Sequence, residues 1–478
     1  MEPCTSEFPV ELAEDDACGF VDHYFDPIDL GHKSRNTCFR QVATQISRHP
    51  GGTLPDKLGS PARYAAMDRL MNRPETTHAR ILAPHYRKTQ AKMEACGNVV
   101  LILHDTTTLD YSGLTAAKLP KIGNGHGRGY LCHNSLAVDP QRREVLGLVS
   151  QILHHRVSKG KKEPVAHKRA RASRESRLWS RAVQDLPAPP PGQQYIDVAD
   201  RGADLFEFLA NEKRLERHCV VRSTHNRRVR VGHDGQGKQV LLHDHLRTRP
   251  AAGAARSKAL RDPKTKEQRT AELRVSFQAI EILPPHVRKG EYEKIPVPAW
   301  AVRVWEETPP EGGTAVEWFL VVLQPVTAAA AAWQQCDWYC CRWIIEELHK
   351  AKKTGCQVED LQFHTEQALQ PMIALLSVVA VMLLNLREAA RREDAPTRPA
   401  TEVVAPIYEE VIRQWRYKQD HQPLSVYEFY LAVARLGGHM NRKGDGFPGW
   451  LTLWRGWQKL QTMVEAVRID RRRQRKIV

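Results

Sequence analysis

The chain offers no hydrophobic stretch that reads as a membrane span. Its longest apolar run, Met372 to Leu384, is interrupted only by Ser377. That is well short of the roughly 20 residues a spanning helix needs. A short run that is apolar on all sides predicts the centre of a core helix instead. A secretion signal is lacking too. Glu2, Glu7, Glu11, Glu14, Asp15 and Asp16 precede the first Lys or Arg, Lys33, the reverse of the positive-then-apolar order of a signal peptide. The expectation is a cytosolic protein with no membrane partner. Zinc knuckles are missing as well. Of ten cysteines, the one cluster is Cys336, Cys340, Cys341 and Cys356, and its spacing matches no zinc pattern. In a cytosolic chain, cysteines are expected reduced and buried. There is no internal repeat, and 41% hydrophobic with 26% charged residues excludes a disordered or collagen-like chain.

Acid is scarce relative to base. Fifty-five Asp and Glu against 71 Lys and Arg leave a net charge of +16, the balance of a chain that faces a polyanion. The excess is concentrated between Arg156 and Arg181, which holds ten Lys or Arg and only two acids, Glu163 and Glu175. Such density points to phosphate contact.

At roughly 150 residues per domain, 478 residues predict about three domains. The stretch to about residue 75 reads as helical. Phe39, Val42, Ala43 and Ile46 recur at helical spacing, and Ser60-Pro61 opens another helix. Lys33, Arg35 and Arg40 edge this unit. Two readings stay open for them, a DNA-site reader or a solvated helix face. The next block reads α/β. Val99 to Leu103 is a short apolar strand ending at His104-Asp105, and Tyr195 to Ala199 is another, ending at Asp200. Strand ends are where α/β sheets carry their sites. Residues from about 229 to 325 read as β-rich, with an exposed basic arm from Arg247 to Arg269. A long helix from Ala329 to about Lys353 follows, then the core helix, then a helical C-terminal part. There Trp450, Trp454 and Trp457 fall on one stripe.

The long helix is the most informative stretch. Tyr339, Glu346 and Lys353 are spaced seven apart, which places them on one helix face. Arg342 stands four before Glu346. A carboxylate ringed by a phenol and cations suits metal-assisted phosphodiester chemistry, in which cations hold the backbone and the acid holds metal. An exposed face decorated with Glu–Lys pairs accounts for the spacing equally well. Asp105, Asp200 and Glu346 together supply three hard oxygen ligands of the kind that suit Mg²⁺, with Mn²⁺ as a substitute.

The run Tyr339-x2-Arg342-x3-Glu346-x6-Lys353 resembles the signature helix of the IS-four family of bacterial cut-and-paste DDE transposases. Asp105-Thr106-Thr107 and Asp200-Arg201-Gly202-Ala203-Asp204 are similar to the family's two aspartate motifs. Val220-Val221-Arg222-Ser223, Ala434 to Gly438 and Trp450 to Trp457 match as well. The N-terminal match, Leu30-Gly31 and Arg35-Asn36-Thr37, is looser. His32 stands where the family usually has Asp, and Gly202 where others carry Glu.

The resemblance implies an α/β fold with a ribonuclease H-like catalytic core and a β-rich insertion, flanked by helical domains. The corresponding boundaries are 1–75 for a DNA-end-binding domain, 76–385 for the catalytic domain with its insertion at about 229–325, and 386–478 for a dimerisation domain. It further implies catalysis and metal binding by Asp105, Asp200 and Glu346. DNA contacts would come from Lys33, Arg35, Arg40, Arg222, Trp318, Tyr339, Arg342 and Lys353, with Trp318 holding a flipped base. The partners would be double-stranded DNA, at transposon ends and target, and a second copy in a synaptic homodimer on bacterial chromosomal or plasmid DNA. Part of the region around the Trp450, Trp454 and Trp457 stripe would then be exposed in a monomer and buried in that dimer, with packing into the chain's own core as the alternative. Trp318 as a plain strand-core residue remains the alternative. So do a ribonuclease H-like DNA nuclease without strand transfer and a non-catalytic DNA-binding descendant.

Overall fold

The computed structural model describes residues 16–48, 51–113, 118–123, 125–156, 171, 173–261, 268–285, 294–309, 315–417, 422–442 and 445–474. Five helices come first: α1 Asp16–Phe25, α2 Lys33–Arg48, α3 Leu54–Leu58, α4 Pro61–Met71 and α5 His78–Glu94. The punctuation read from sequence is physical. Ser60 accepts from the Arg63 N–H with Pro61 in the first turn, which satisfies one of the donors a helix start leaves orphaned.

One eleven-stranded sheet carries the rest. Its strands are β1 Val99–Asp110, β2 Gly129–Asp139, β3 Glu144–His154, β4 Gln194–Ala199, β5 His218–Arg222, β6 Arg228–Val231, β7 Gln239–Leu241, β8 Arg256–Arg261, β9 Gln268–Ile282, β10 Val297–Glu306 and β11 Glu317–Val322. The order is β3-β2-β1-β4-β5-β11-β10-β9-β6-β7, with β8 pairing off β9. Among the described residues, only β1–β4 and β4–β5 pair in parallel. Short helices α6 Leu178–Gln184 and α7 Phe206–Arg214 lie between these strands in sequence, and α8 Leu242–Thr248 follows β7. Every residue of β2 is buried, as a strand covered on both faces requires. On one of those faces α5 packs against β3. Gly147 permits the approach. Its φ is +148°, and a Cβ there would lie 2.2 Å from Thr89 Oγ1.

The C-terminal half is helical: α9 Ala329–Cys341, α10 Trp343–Lys350, α11 Glu366–Ala389, α12 Pro406–Tyr417, α13 Val426–Leu436 and α14 Trp450–Gln474. A single core runs from Val21 through β1 and α11 to Val464, so it threads all three of the expected segments.

Several sequence expectations are corrected. The first strand does not stop at Asp105 but continues to Asp110, because its antiparallel pairing with β2 extends through that residue. The basic arm is not free, since Arg256–Arg261 pairs with Gln268–Leu273. The long helix is interrupted, ending as α9 at Cys341 and passing after α10 into a π-helical turn over Ala351–Gly355. The apolar run Met372–Leu384 sits in a 24-residue helix, long and apolar enough to cross a membrane. However, 83% of its most apolar window is buried within the fold, as a core helix should be. Finally, Trp450, Trp454 and Trp457 are not an exposed stripe. All three are buried: Trp457 stacks on Tyr408 at 5.3 Å, and Trp450 donates through Nε1 to Glu347.

Candidate functional site

The parallel pair β1–β4 places the two aspartates. The last rung of the pairing is His104 against Ala199, so Asp105 and Asp200 are the next residue on each strand. Side chains alternate along strands. Asp105 therefore follows Leu101 and Leu103 on its face, and Asp200 follows Ile196 and Val198, four residues of the main core. Beyond that rung the strands part. β1 continues along β2, while Asp200 caps a short 3₁₀ turn, accepting from the Gly202 N–H at 2.9 Å. Gly202 is required here. A Cβ would stand 2.5 Å from the Trp179 ring, which packs beneath this turn and edge-on to His133. That contact explains a glycine where the related motif carries Glu.

Helix α10 delivers Glu346 to the same place. Arg342, at the junction of α9 and α10, hydrogen-bonds Glu346 and reaches Asp105 Oδ2 at 3.4 Å. Burial raises the Asp105 pKa to about 6. The Asp200 carboxylate adds to this, Arg342 and the Thr106 N–H oppose it, and Glu346 adds a smaller push. Asp105 thus feels the charge of both other acids. Three crowded oxygen donors fit a divalent cation in kind and in charge. Among the described residues, no group of three His, Cys, Asp or Glu stands at ligating spacing as it is, and Arg342 supplies the counter-charge between two of them.

Behind Asp105 lies a buried chain that sequence reading missed. Lys352 is fully buried and donates to Asn134 Oδ1 at 3.2 Å, which also accepts from Gln151 Nε2 at 2.7 Å. With its oxygen occupied, Asn134 turns its amide N–H to His349 Nε2 at 3.1 Å. An imidazole that accepts at Nε2 carries its proton on Nδ1, and Nδ1 is 3.9 Å from Asp105 Oδ2. Burial, with Lys352, Lys353 and Arg342 nearby, lowers the His349 pKa to about 3, so the ring is neutral. Glu346-x2-His349 at helix spacing was a legible hint. Asn134, more than two hundred residues away in sequence, was not.

The remaining predicted residues fall in three groups. Trp318, Tyr339, Arg222 and Arg342 come together. Trp318 meets Tyr339 edge-on at 5.5 Å, Arg222 lies 5.7 Å from the Trp318 ring centroid, and Arg342 lies 5.9 Å from that of Tyr339. Tyr339 is buried, so it is not part of a solvent-facing stripe. Arg222 also lines a cleft of about 270 Å³ with Arg201, His243 and Phe319. Lys353 lies within the π turn, whose wider winding shifts it off the face of Glu346. It pairs with Glu359 at 3.1 Å rather than joining the acids. On α2, Lys33 is exposed, Arg35 pairs with Glu75 at 2.7 Å and Arg40 with Asp22 and Asp26. Of the basic segment, residues 157–170 and 172 lie outside the described residues. Arg156 pairs with Glu175 at 2.5 Å, and Arg174 with Glu207.

Residues 419–475 match the family model of the transposase Tn5 dimerisation domain. That segment contains α13 and α14, and the match supports a Tn5-type transposase relationship and homodimer formation.

Proposed function

We propose that this chain is a cut-and-paste DNA transposase. On this reading it binds transposon ends as a homodimer, cleaves them through a hairpin intermediate and joins the 3′ ends to target DNA. The reading is supported by Arg342 pairing with both Asp105 and Glu346, and by the Asp200 charge acting on Asp105, in a chain whose residues 419–475 match a transposase dimerisation domain. The strand order β3-β2-β1-β4-β5, with β1, β4 and β5 parallel, supports a ribonuclease H-like core for residues 76–385, with β6–β11 as its insertion.

Asp105, Asp200 and Glu346 would hold Mg²⁺, for which Mn²⁺ substitutes. When bound there, such a cation would supply Lewis-acid chemistry toward a phosphate and an attacking oxygen. The chain's own groups do the rest. Arg342 trades a carboxylate for a phosphate oxygen, bidentate in geometry. His349, fixed as the Nδ1–H tautomer by Asn134, faces Asp105 without adding charge. The Trp318 face stacks on an extruded base, a contact worth roughly 1–3 kcal/mol, while Arg222 beside it holds the backbone.

The test uses DNA carrying the sequences that flank the coding region, searched for short inverted repeats. Asp105→Asn, Asp200→Asn and Glu346→Gln should each abolish Mg²⁺-dependent cleavage and retain end binding. Binding should weaken steeply with salt. Cleavage without joined products would make the chain a nuclease, and binding without cleavage by the unaltered chain would end the enzymatic reading.

A further inference from the structure

One cluster of reactive side chains lies outside the carboxylate site. Cys336 and Cys340 are one turn apart on α9, and Lys258 of β8 brings its Nζ to 3.1 Å from Cys340 Sγ. Cys336 is buried while Cys340 is partly exposed. The same edge of β8 holds the helix twice more. Arg256 pairs with Asp337 at 2.8 Å, and its guanidinium lies 4.7 Å from the Trp333 ring centroid.

An ammonium at hydrogen-bonding distance favours a thiolate over a thiol. The charged and titratable groups facing Cys340 are Lys258 from β8 and Cys336 and Asp337 from its own helix. Cys336, one turn back on the helix, and Lys258 together lower the Cys340 pKa to about 6 against burial and Asp337. Cys336 is pushed up by Cys340 and by burial, so it stays a thiol. Arg256, bound to Asp337, blunts the one opposing carboxylate.

We propose that Cys340 is a modification site, a nucleophilic thiolate held by Lys258 that reacts with soft electrophiles and peroxides where β8 latches onto the helix leading to Glu346. With a peroxide, the sulfur attacks one peroxide oxygen. An S–O bond forms, the O–O bond breaks and hydroxide leaves, so sulfur is oxidised to sulfenic acid by two electrons and the peroxide is reduced. With iodoacetamide, an S–C bond forms and iodide leaves. Cys336 does not resolve the product into a disulfide. Cβ atoms one turn apart on a helix are about 5–6 Å apart, whereas a disulfide needs about 3.8 Å. Either adduct removes the anion opposite Lys258 and leaves the strand tethered through Arg256.

The test is limiting iodoacetamide labelling of the full chain from pH 5 to 9, read by peptide mass spectrometry. At pH 6 the first adduct should be on Cys340, with a labelling midpoint near pH 6. Lys258→Met should move that midpoint toward the ordinary thiol value of about 8.5. A midpoint moved the whole way would lower the thiolate fraction at pH 6 more than a hundredfold. A more basic thiolate is intrinsically the better nucleophile, which returns roughly tenfold, so the net loss in rate is about tenfold. Lys258→Arg should keep the low midpoint. A first adduct on any other of the ten cysteines, or a wild-type Cys340 midpoint above pH 8, overturns the proposal whether or not the Lys258 variants fold. A folded Lys258→Met protein with an unchanged midpoint overturns it as well.

Discussion

Replacing Gly456 with Ala should destabilise the protein, although alanine is the better helix former. Gly456 lies on α14 where it crosses the end of α13. A Cβ on Gly456 would stand 1.8 Å from the Val433 carbonyl oxygen and 3.0 Å from Gly437 N, and one on Gly437 would stand 1.8 Å from Thr452 O. These are backbone atoms and cannot swing aside. A carbon and a carbonyl oxygen rest at about 3.3 Å or more, so the helices must part by about 1.5 Å. That motion drags Trp454, whose ring also closes over Gly51 and approaches Gly355. Overpacking of this kind costs about 1–3 kcal/mol or more, and the propensity gain returns about 1 kcal/mol. With the cost at the upper end, the net loss is about 2 kcal/mol, or about 2 °C in Tm for a chain of this length unfolding as one unit at roughly 2.1 cal/mol/K per residue. Thermal and urea unfolding of the full chain measure it. Gly449→Ala is the control, since nothing lies within 4 Å of a Cβ there, and it should stay within about 0.5 kcal/mol. A Gly456→Ala protein as stable as its parent would refute the close crossing.

Acid should unfold the protein through histidines buried neutral around α5. Burial lowers His85 to about 3 and His23 and His78 to about 4, and His85 Nε2 accepts the Leu148 N–H at 3.0 Å. The unfolded chain takes up protons that the folded one refuses. Stability should therefore be full above pH 6.5 and fall toward pH 4, by up to about 1.4 kcal/mol per pH unit for a fully buried ring. His85→Gln, which still offers an acceptor, should flatten that limb of a pH-resolved unfolding series. For Asp105 the sign is opposite. A folded pKa of about 6 against 3.8 unfolded penalises the ionised fold above pH 6, by at most about 3 kcal/mol. Metal-free Asp105→Asn should thus gain Tm at pH 8 and little below pH 4, and equal gains at both would discard the like-charge argument. Gly202→Ala should lower Tm by displacing Trp179, and an unchanged Tm would mean that the ring moves freely.

Much of the site was legible because its chemistry is local. Spacing alone joined Arg342 to Glu346, one helical turn apart, and strand patterning found the two segments that lead to Asp105 and Asp200. The helix start at Ser60-Pro61 and the core helix around Met372 to Leu384 follow from propensity and apolar length, which are also local. What sequence could not decide are matters of which elements meet. Asp105 sits within a strand because β2 pairs past it, a long-range partnership with no local mark. The arm after Arg247 is held by β9, and Lys353 leaves its heptad face because the chain takes one π turn. The tryptophans of α14 looked like an interface because a stripe is a stripe whether it faces a partner or its own core. Packing against Tyr408, Glu347 and Gly51 made it core, and left Leu451 and Ile469 as the large apolar side chains that α14 exposes. Periodicity specifies which face of an element is apolar, and only tertiary packing specifies what covers it.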